Sequence, residues 1–194
     1  MRTRLLLMAV IGASGPVAIA SSYSGQVEIT YTGNYTDGYI QVWGGGYSGA
    51  QGYGGIYKLY RTPGAAGYTG DGWIVPEGEI DSFCMDLPQE PLKNVSVWYD
   101  LSALADAPVP GTYVPGGTIG PAKGAYLTEL WNERYSPSMT QSQAELFSAC
   151  VWEIIYEDIG VPALWDPTNW DVTVDGTGGS SGFRAGLLNT AAAA

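Results

Sequence analysis

The periodicity of this chain changes once, across the proline- and glycine-rich stretch of residues 108–121. Before it, short runs rich in β-branched and aromatic residues are bounded by Gly, Pro, Asn or Asp, at 27–31, 39–43, 55–61, 80–87 and 95–101. That pattern predicts antiparallel strands. The glycine-rich stretches 44–49 and 52–55 between them are read as loops, with a tyrosine-lined sugar platform as the alternative. After the change, Leu127, Leu130 and Trp131 recur near helical spacing and predict a helix over 122–134. A second helix is predicted over about 142–158. Thr140 with Gln143, or Ser142 with Glu145, forms a capping-box pattern ahead of its apolar run, and Gly160-Val161-Pro162 ends it. Residues 170–174 read as one more strand. Residues 183–194 begin a helix that stops in four alanines with no C-cap, which reads as a chain cut short. The expected fold class is α+β: an antiparallel β-rich sandwich or barrel-like half with a packed helical half, as one domain over 21–194.

Residues 1–20 are read as a signal peptide. Met1-Arg2-Thr3-Arg4 is basic, 5–17 is mostly apolar, and Ala18-Ile19-Ala20 is a small-residue cleavage site. Gly12, Gly15 and Pro16 interrupt a stretch already too short to span a bilayer. The expected location is therefore secreted or on the cell surface, without membrane insertion once the signal is removed. The formal net charge of −11 disfavours nucleic acid and anionic lipid and favours cationic partners. The chain has no histidine. Ser-His-Asp, Cys-His and His-metal mechanisms are thereby excluded.

The only two cysteines lie in separate segments, Phe83-Cys84-Met85-Asp86-Leu87 and Phe147-Ser148-Ala149-Cys150-Val151-Trp152-Glu153-Ile154. On the second predicted helix, Ala144, Phe147, Val151, Ile154 and Ile155 make an apolar face with Ser148 on one flank and Cys150 on the other. Two positions of helix turn a side chain by about 200°, so Ser148 and Cys150 cannot both face one neighbour. Two readings stay open. Cys84 and Cys150 form a disulfide, as paired cysteines in an exported chain usually do, or both remain buried thiols.

Those two segments, with Gly55-Ile56-Tyr57-Lys58-Leu59, Ala125-Tyr126-Leu127-Thr128-Glu129-Leu130-Trp131 and Val151-Trp152-Glu153-Ile154-Ile155-Tyr156-Glu157, resemble the secreted bacterial thioester-domain family. In that family a strand cysteine is joined to a helix glutamine, and in Gram-positive adhesins amines on a target attack the bond. The resemblance covers roughly 27–194 and implies that Cys84 and Ser148 hold the two thioester positions. Ser148 lacks the carboxamide from which the bond is made, so the resemblance implies a variant without it. Gln143 and Gln89 do not sit where the family's glutamine does. Ser148→Gln is then the change expected to restore a geometry for bonding Cys84.

Other constellations are weaker. Glu153 and Glu157, with Asp158, are spaced as a carboxylate pair or as a solvated helix face, and Glu153 beside Trp152 as a structural anchor. Asp166, Asp171 and Asp175 could gather calcium, but their spacing is not that of an EF-hand. No catalytic residue, metal or cofactor is expected. The resulting expectation is a non-enzymatic, adhesin-like interaction domain whose partner is a surface protein or a glycan. The alternatives are a carbohydrate-binding module, which clustered exposed aromatics on one face would favour, or a carboxylate-pair glycoside hydrolase.

Overall fold

The computed structural model describes residues 23–34, 38–44, 47–64, 67–85, 91–108, 117–156 and 172–176. Strands β1 (Gly25–Asn34) and β4 (Tyr57–Arg61) pair antiparallel, and inside them β2 (Gly38–Gly44) and β3 (Tyr47–Gly54) pair in the same sense. The four strands are thus one long nested hairpin. Its outer half lies in one sheet and its tip in another, so the ribbon turns a corner between Asn34 and Gly38 on one strand and between Gly54 and Tyr57 on the other.

The five-stranded sheet is completed by β5 (Tyr68–Gly70) beside the first half of β1, β6 (Gly78–Ser82) beside β4, and β7 (Ser96–Leu101) on the other edge of β1. Its inner face follows from period-two alternation. Val27, Ile29, Tyr31, Leu59, Ile80 and Tyr99 point inward and form a core with Val75 and Cys84. Arg61 also points inward and is 4 % exposed. Its guanidinium donates to the carbonyls of Gly72, Trp73 and Val75 and lies 4.9 Å from the Tyr68 ring centroid, closing a 3-10 turn (Asp71–Ile74) over the end of the sheet.

The second sheet has order β3-β2-β8, where β8 is Val172–Gly176. Helices α1 (Pro121–Arg134) and α2 (Gln141–Tyr156) make the other half. Helix α1 starts on a proline, whose missing N–H costs nothing in the first turn. Helix α2 starts with a reciprocal capping box: Gln143 N donates to Thr140 Oγ1 at 3.3 Å, and Thr140 N donates to Gln143 Oε1 at 2.9 Å. Of the two caps read from the sequence, the structure uses Thr140–Gln143. Phe83, Trp131, Tyr135 and Phe147 pack as an aromatic cluster, with Phe83 and Phe147 centroids 4.3 Å apart and Trp131 stacked on Tyr135 at 4.1 Å. This is an α+β fold with antiparallel sheets.

Two expectations change. Residues 44–49 and 52–55 are not simply loops, because β3 runs through most of them. The run Tyr47-Ser48-Gly49-Ala50-Gln51-Gly52-Tyr53-Gly54 has little intrinsic strand preference, and pairing with β2 across a tight hairpin supplies what propensity does not. The strand expected at 80–87 ends at Ser82. Phe83 and Met85 then enter the helical core while Cys84 enters the sheet core. The signal peptide, the end of the second predicted helix and the segment 183–194 lie outside the described residues.

The end of α1 is tied to the sheet by charge as well as packing. Tyr135 donates to Asp81 Oδ2 at 2.7 Å, and Asp81 Oδ1 lies 2.5 Å from Lys58 Nζ. Burial, helped by the Asp81 carboxylate, pushes the Tyr135 hydroxyl well above its ordinary value of 10.0. The folded state therefore favours the neutral phenol, and this stabilisation is full below about pH 10 and lost as pH rises toward the folded value. Urea unfolding measured between about pH 9 and pH 12 should show falling stability in the wild type. Tyr135→Phe should flatten that fall without abolishing it, because burial raises the Tyr99 hydroxyl as well and so contributes with the same sign. An unchanged slope would show that Tyr135 is not linked to folding.

Candidate functional site

The corner of the ribbon is where the two halves of the fold meet. Gly55 stands at a φ of +142°, a conformation open to glycine and strained for other residues. Beside it, a Cβ on Gly54 would collide with the side chain of Ile40 and touch Ser148 Cβ at 3.4 Å. The corner is thus bare backbone against which α2 can lie. Backbone that leaves the ladder needs other hydrogen-bond partners when buried. Ser148, 1 % exposed, supplies them: its Oγ accepts from Gly55 N at 2.7 Å and donates to Gly55 O at 3.4 Å.

One turn further along α2, on the same stripe of the helix, the indole of Trp152 donates from Nε1 to the carbonyl oxygen of Cys84 at 2.7 Å. Ser148 and Trp152 therefore fasten one helix to two separate pieces of strand, the start of β4 and the segment after β6. Cys84 is itself 9 % exposed, and its side chain belongs to the core of the five-stranded sheet. Cys150 is buried on α2, two residues from Ser148. The structure holds both as thiols, with no disulfide between them. Residues 147–152 of α2 are all buried. A helix covered on every side explains how Ser148 and Cys150 can both be inside while pointing in different directions.

Of the residues marked in the sequence, Cys84, Ser148 and Trp152 are brought into one neighbourhood. Trp152 anchors α2 through its indole; the side chain of Glu153, for which an anchoring role was one reading, and all of Glu157 and Asp158 lie outside the described residues. So do Gln89, Asp166 and Asp171, while Asp175 is placed in β8. Gln143 is spent on the helix cap. Among the described residues there is no group of three acidic or cysteine side chains able to hold a metal ion. Gly54 and Gly55 were read from the sequence only as punctuation. Their role depends on a corner whose location becomes visible only when the outer and inner pairs of the nested hairpin are known.

No family model, curated protein or solved structure matches the chain.

Ser148→Gln, the change by which the resemblance implies a bond to Cys84, acts on a buried hydroxyl held against the backbone of Gly55. A longer side chain there has to be accommodated inside this buried contact or move the helix. Removing the hydroxyl by Ser148→Ala leaves a buried N–H without its acceptor and should cost about 1–3 kcal/mol. Ser148→Gln should cost a similar or larger amount through overpacking, which is typically about 1–3 kcal/mol. Chemical denaturation checks both. A glutamine variant as stable as the wild type, or one that loses ammonia, would show that the corner is roomier than its geometry indicates.

Proposed function

We propose that this chain is a non-enzymatic interaction domain, secreted or displayed on the cell surface, that holds its partner without a covalent bond. We further propose that it is a relative of thioester domains in which Cys84 and Ser148 occupy the two bonding positions and the bond itself is absent. The observation that carries this reading is the double hydrogen bond between Ser148 and Gly55. The position that would have to supply an acyl group is instead committed to architecture. Burial of Cys84 supports the same reading, since a thiol acts as a nucleophile where a reagent can reach it.

The carbohydrate-binding alternative gains one specific support. Tyr60 and Trp98 project from the outer side of the five-stranded sheet, 39 % and 43 % exposed. On β1, the strand between theirs, stands Glu28, across from Trp98 in the ladder. A negative charge beside the rings turns that face toward a cationic ligand rather than a neutral one.

Intact-mass measurement of exported protein tests the covalent chemistry. Thioester formation would lower the mass by about 17 Da through loss of ammonia and leave a carbonyl open to amines. We expect no such loss, and no adduct after incubation with methylamine. An adduct mapped to any glutamine would overturn the reading and make Cys84 the functional centre. The same sample should begin at Ser21, and amino-terminal sequencing that returns Met1 would refute export by signal cleavage.

A further inference from the structure

Alternation along β1 sends Gln26, Glu28 and Thr30 to the outer face, opposite the core. The antiparallel register sets Asp100, Trp98 and Ser96 of β7 directly across from them. Two of the three pairs are closed. Gln26 Nε2 donates to Asp100 Oδ1 at 2.7 Å, and the hydroxyls of Thr30 and Ser96 are 2.8 Å apart. Farther across the sheet, Lys58 is engaged by Glu79 at 2.9 Å and Asp81 at 2.5 Å. The middle pair is open: among the described residues, no hydrogen bond or ion pair engages the Glu28 carboxylate.

The surroundings of Glu28 keep it accessible from the side away from Trp98. There the chain passes Gly67, whose carbonyl accepts from Glu28 N at 2.7 Å. A Cβ at Gly67 would come within 3.1 Å of Glu28 Oε2. Beside it is a small hollow lined by Glu28, Thr30, Tyr60, Arg61, Thr62, Gly67 and Ser96, with the Arg61 guanidinium itself turned inward to the carbonyls of Gly72, Trp73 and Val75. Tyr60 stands opposite Thr30 on β4 and so lies diagonal to Glu28, a separation of about 7–8 Å that an aromatic side chain can span.

A neutral sugar would have the hydroxyls of Tyr60 and Thr62 beside the rings, whereas Gln26 with Asp100 and Thr30 with Ser96 are already paired with each other. What remains is the Glu28 carboxylate beside the exposed Tyr60 and Trp98, with the Asp100 carboxylate one row away bonded to a neutral amide, in a chain of net charge −11. Charge and ring quadrupoles then attract the same ligand, a cation. We propose that this face seats a lysine or arginine side chain from a basic segment of a protein partner, with the cation against Glu28, over Trp98, and flanked by Tyr60. The proposal rests on the reading of the chain as a non-covalent interaction domain and supplies the chemistry of its partner.

Fluorescence polarisation of a labelled, amino-terminally acetylated oligolysine peptide against the full chain tests it. Glu28→Gln and Trp98→Ala should each weaken binding about tenfold, and Trp98→Phe should retain part of it. Glu133→Gln, an exposed acid on α1, should change it less than about twofold, and added salt should weaken the wild type. Equal small losses in all acid variants would reduce the effect to net charge and overturn the site. So would absence of binding, or Trp98-dependent binding of a neutral oligosaccharide that ignores Glu28→Gln. Peptide still attached after denaturation, seen by mass, would instead overturn the non-covalent reading on which the proposal stands. Far-ultraviolet circular dichroism and melting of each variant confirm that the fold is kept.

Discussion

One hydroxyl group holds the bend of the long hairpin to the helical half. Where the ribbon leaves the first sheet, Gly55 loses the regular ladder and its N–H and C=O need partners inside a dry interface. Ser148 meets both with a single atom. A side chain this small is also what lets α2 approach bare backbone at Gly54. Once the helix is seated there, Trp152 falls one turn along and reaches the Cys84 carbonyl. Phe147, on the neighbouring flank, falls against Phe83 and Trp131. The aromatic cluster is part of the core of the helical half, while the serine sets where along the ribbon the helix is fastened.

The strands with β-branched and aromatic residues in alternation were legible because their sequence periodicity is also their burial pattern. Val27, Ile29 and Tyr31 alternate with Glu28 and Thr30 in the sequence and across the sheet alike. Both helices were legible for the same reason, and α2 announced its start through Thr140 and Gln143. Strand β3 was not legible. Its glycines carry no face preference, so the strand exists through its register with β2, a non-local fact. Arg61 was hidden by the same kind of interaction: a cation in an apolar position of β4 is explained only by three carbonyls brought to it from residues 72–75.

The candidate site divides along similar lines. Cys84, Ser148 and Trp152 drew attention as residue types in particular segments, and folding brings those segments together. What could not be read was the partner of Ser148, because a glycine corner leaves no chemical signature in sequence. The outer face is the opposite case. Each of Glu28, Tyr60 and Trp98 is ordinary alone, and it is the antiparallel register that places a carboxylate across from an indole while pairing off the polar groups in the rows above and below.

This pairing-off also explains why one row of the sheet differs from its neighbours. An exposed β surface is usually a field of interchangeable polar groups, each satisfied by water and none specific. On this surface two rows are each joined by a cross-strand hydrogen bond, so part of their capacity is already used. The row between them combines a carboxylate that has no ion pair among the described residues with an indole that is 43 % exposed. A ligand that engages it displaces little ordered polar structure and keeps the bonds on either side intact. Because β1 is the central strand, held by β7 on one edge and by β5 and β4 on the other, that row sits on backbone tied from both sides. Rigidity there reduces the ordering cost of binding. The buried contact at Ser148 and the open one at Glu28 therefore belong to the same design: the first fixes the ribbon, and the fixed ribbon presents the second.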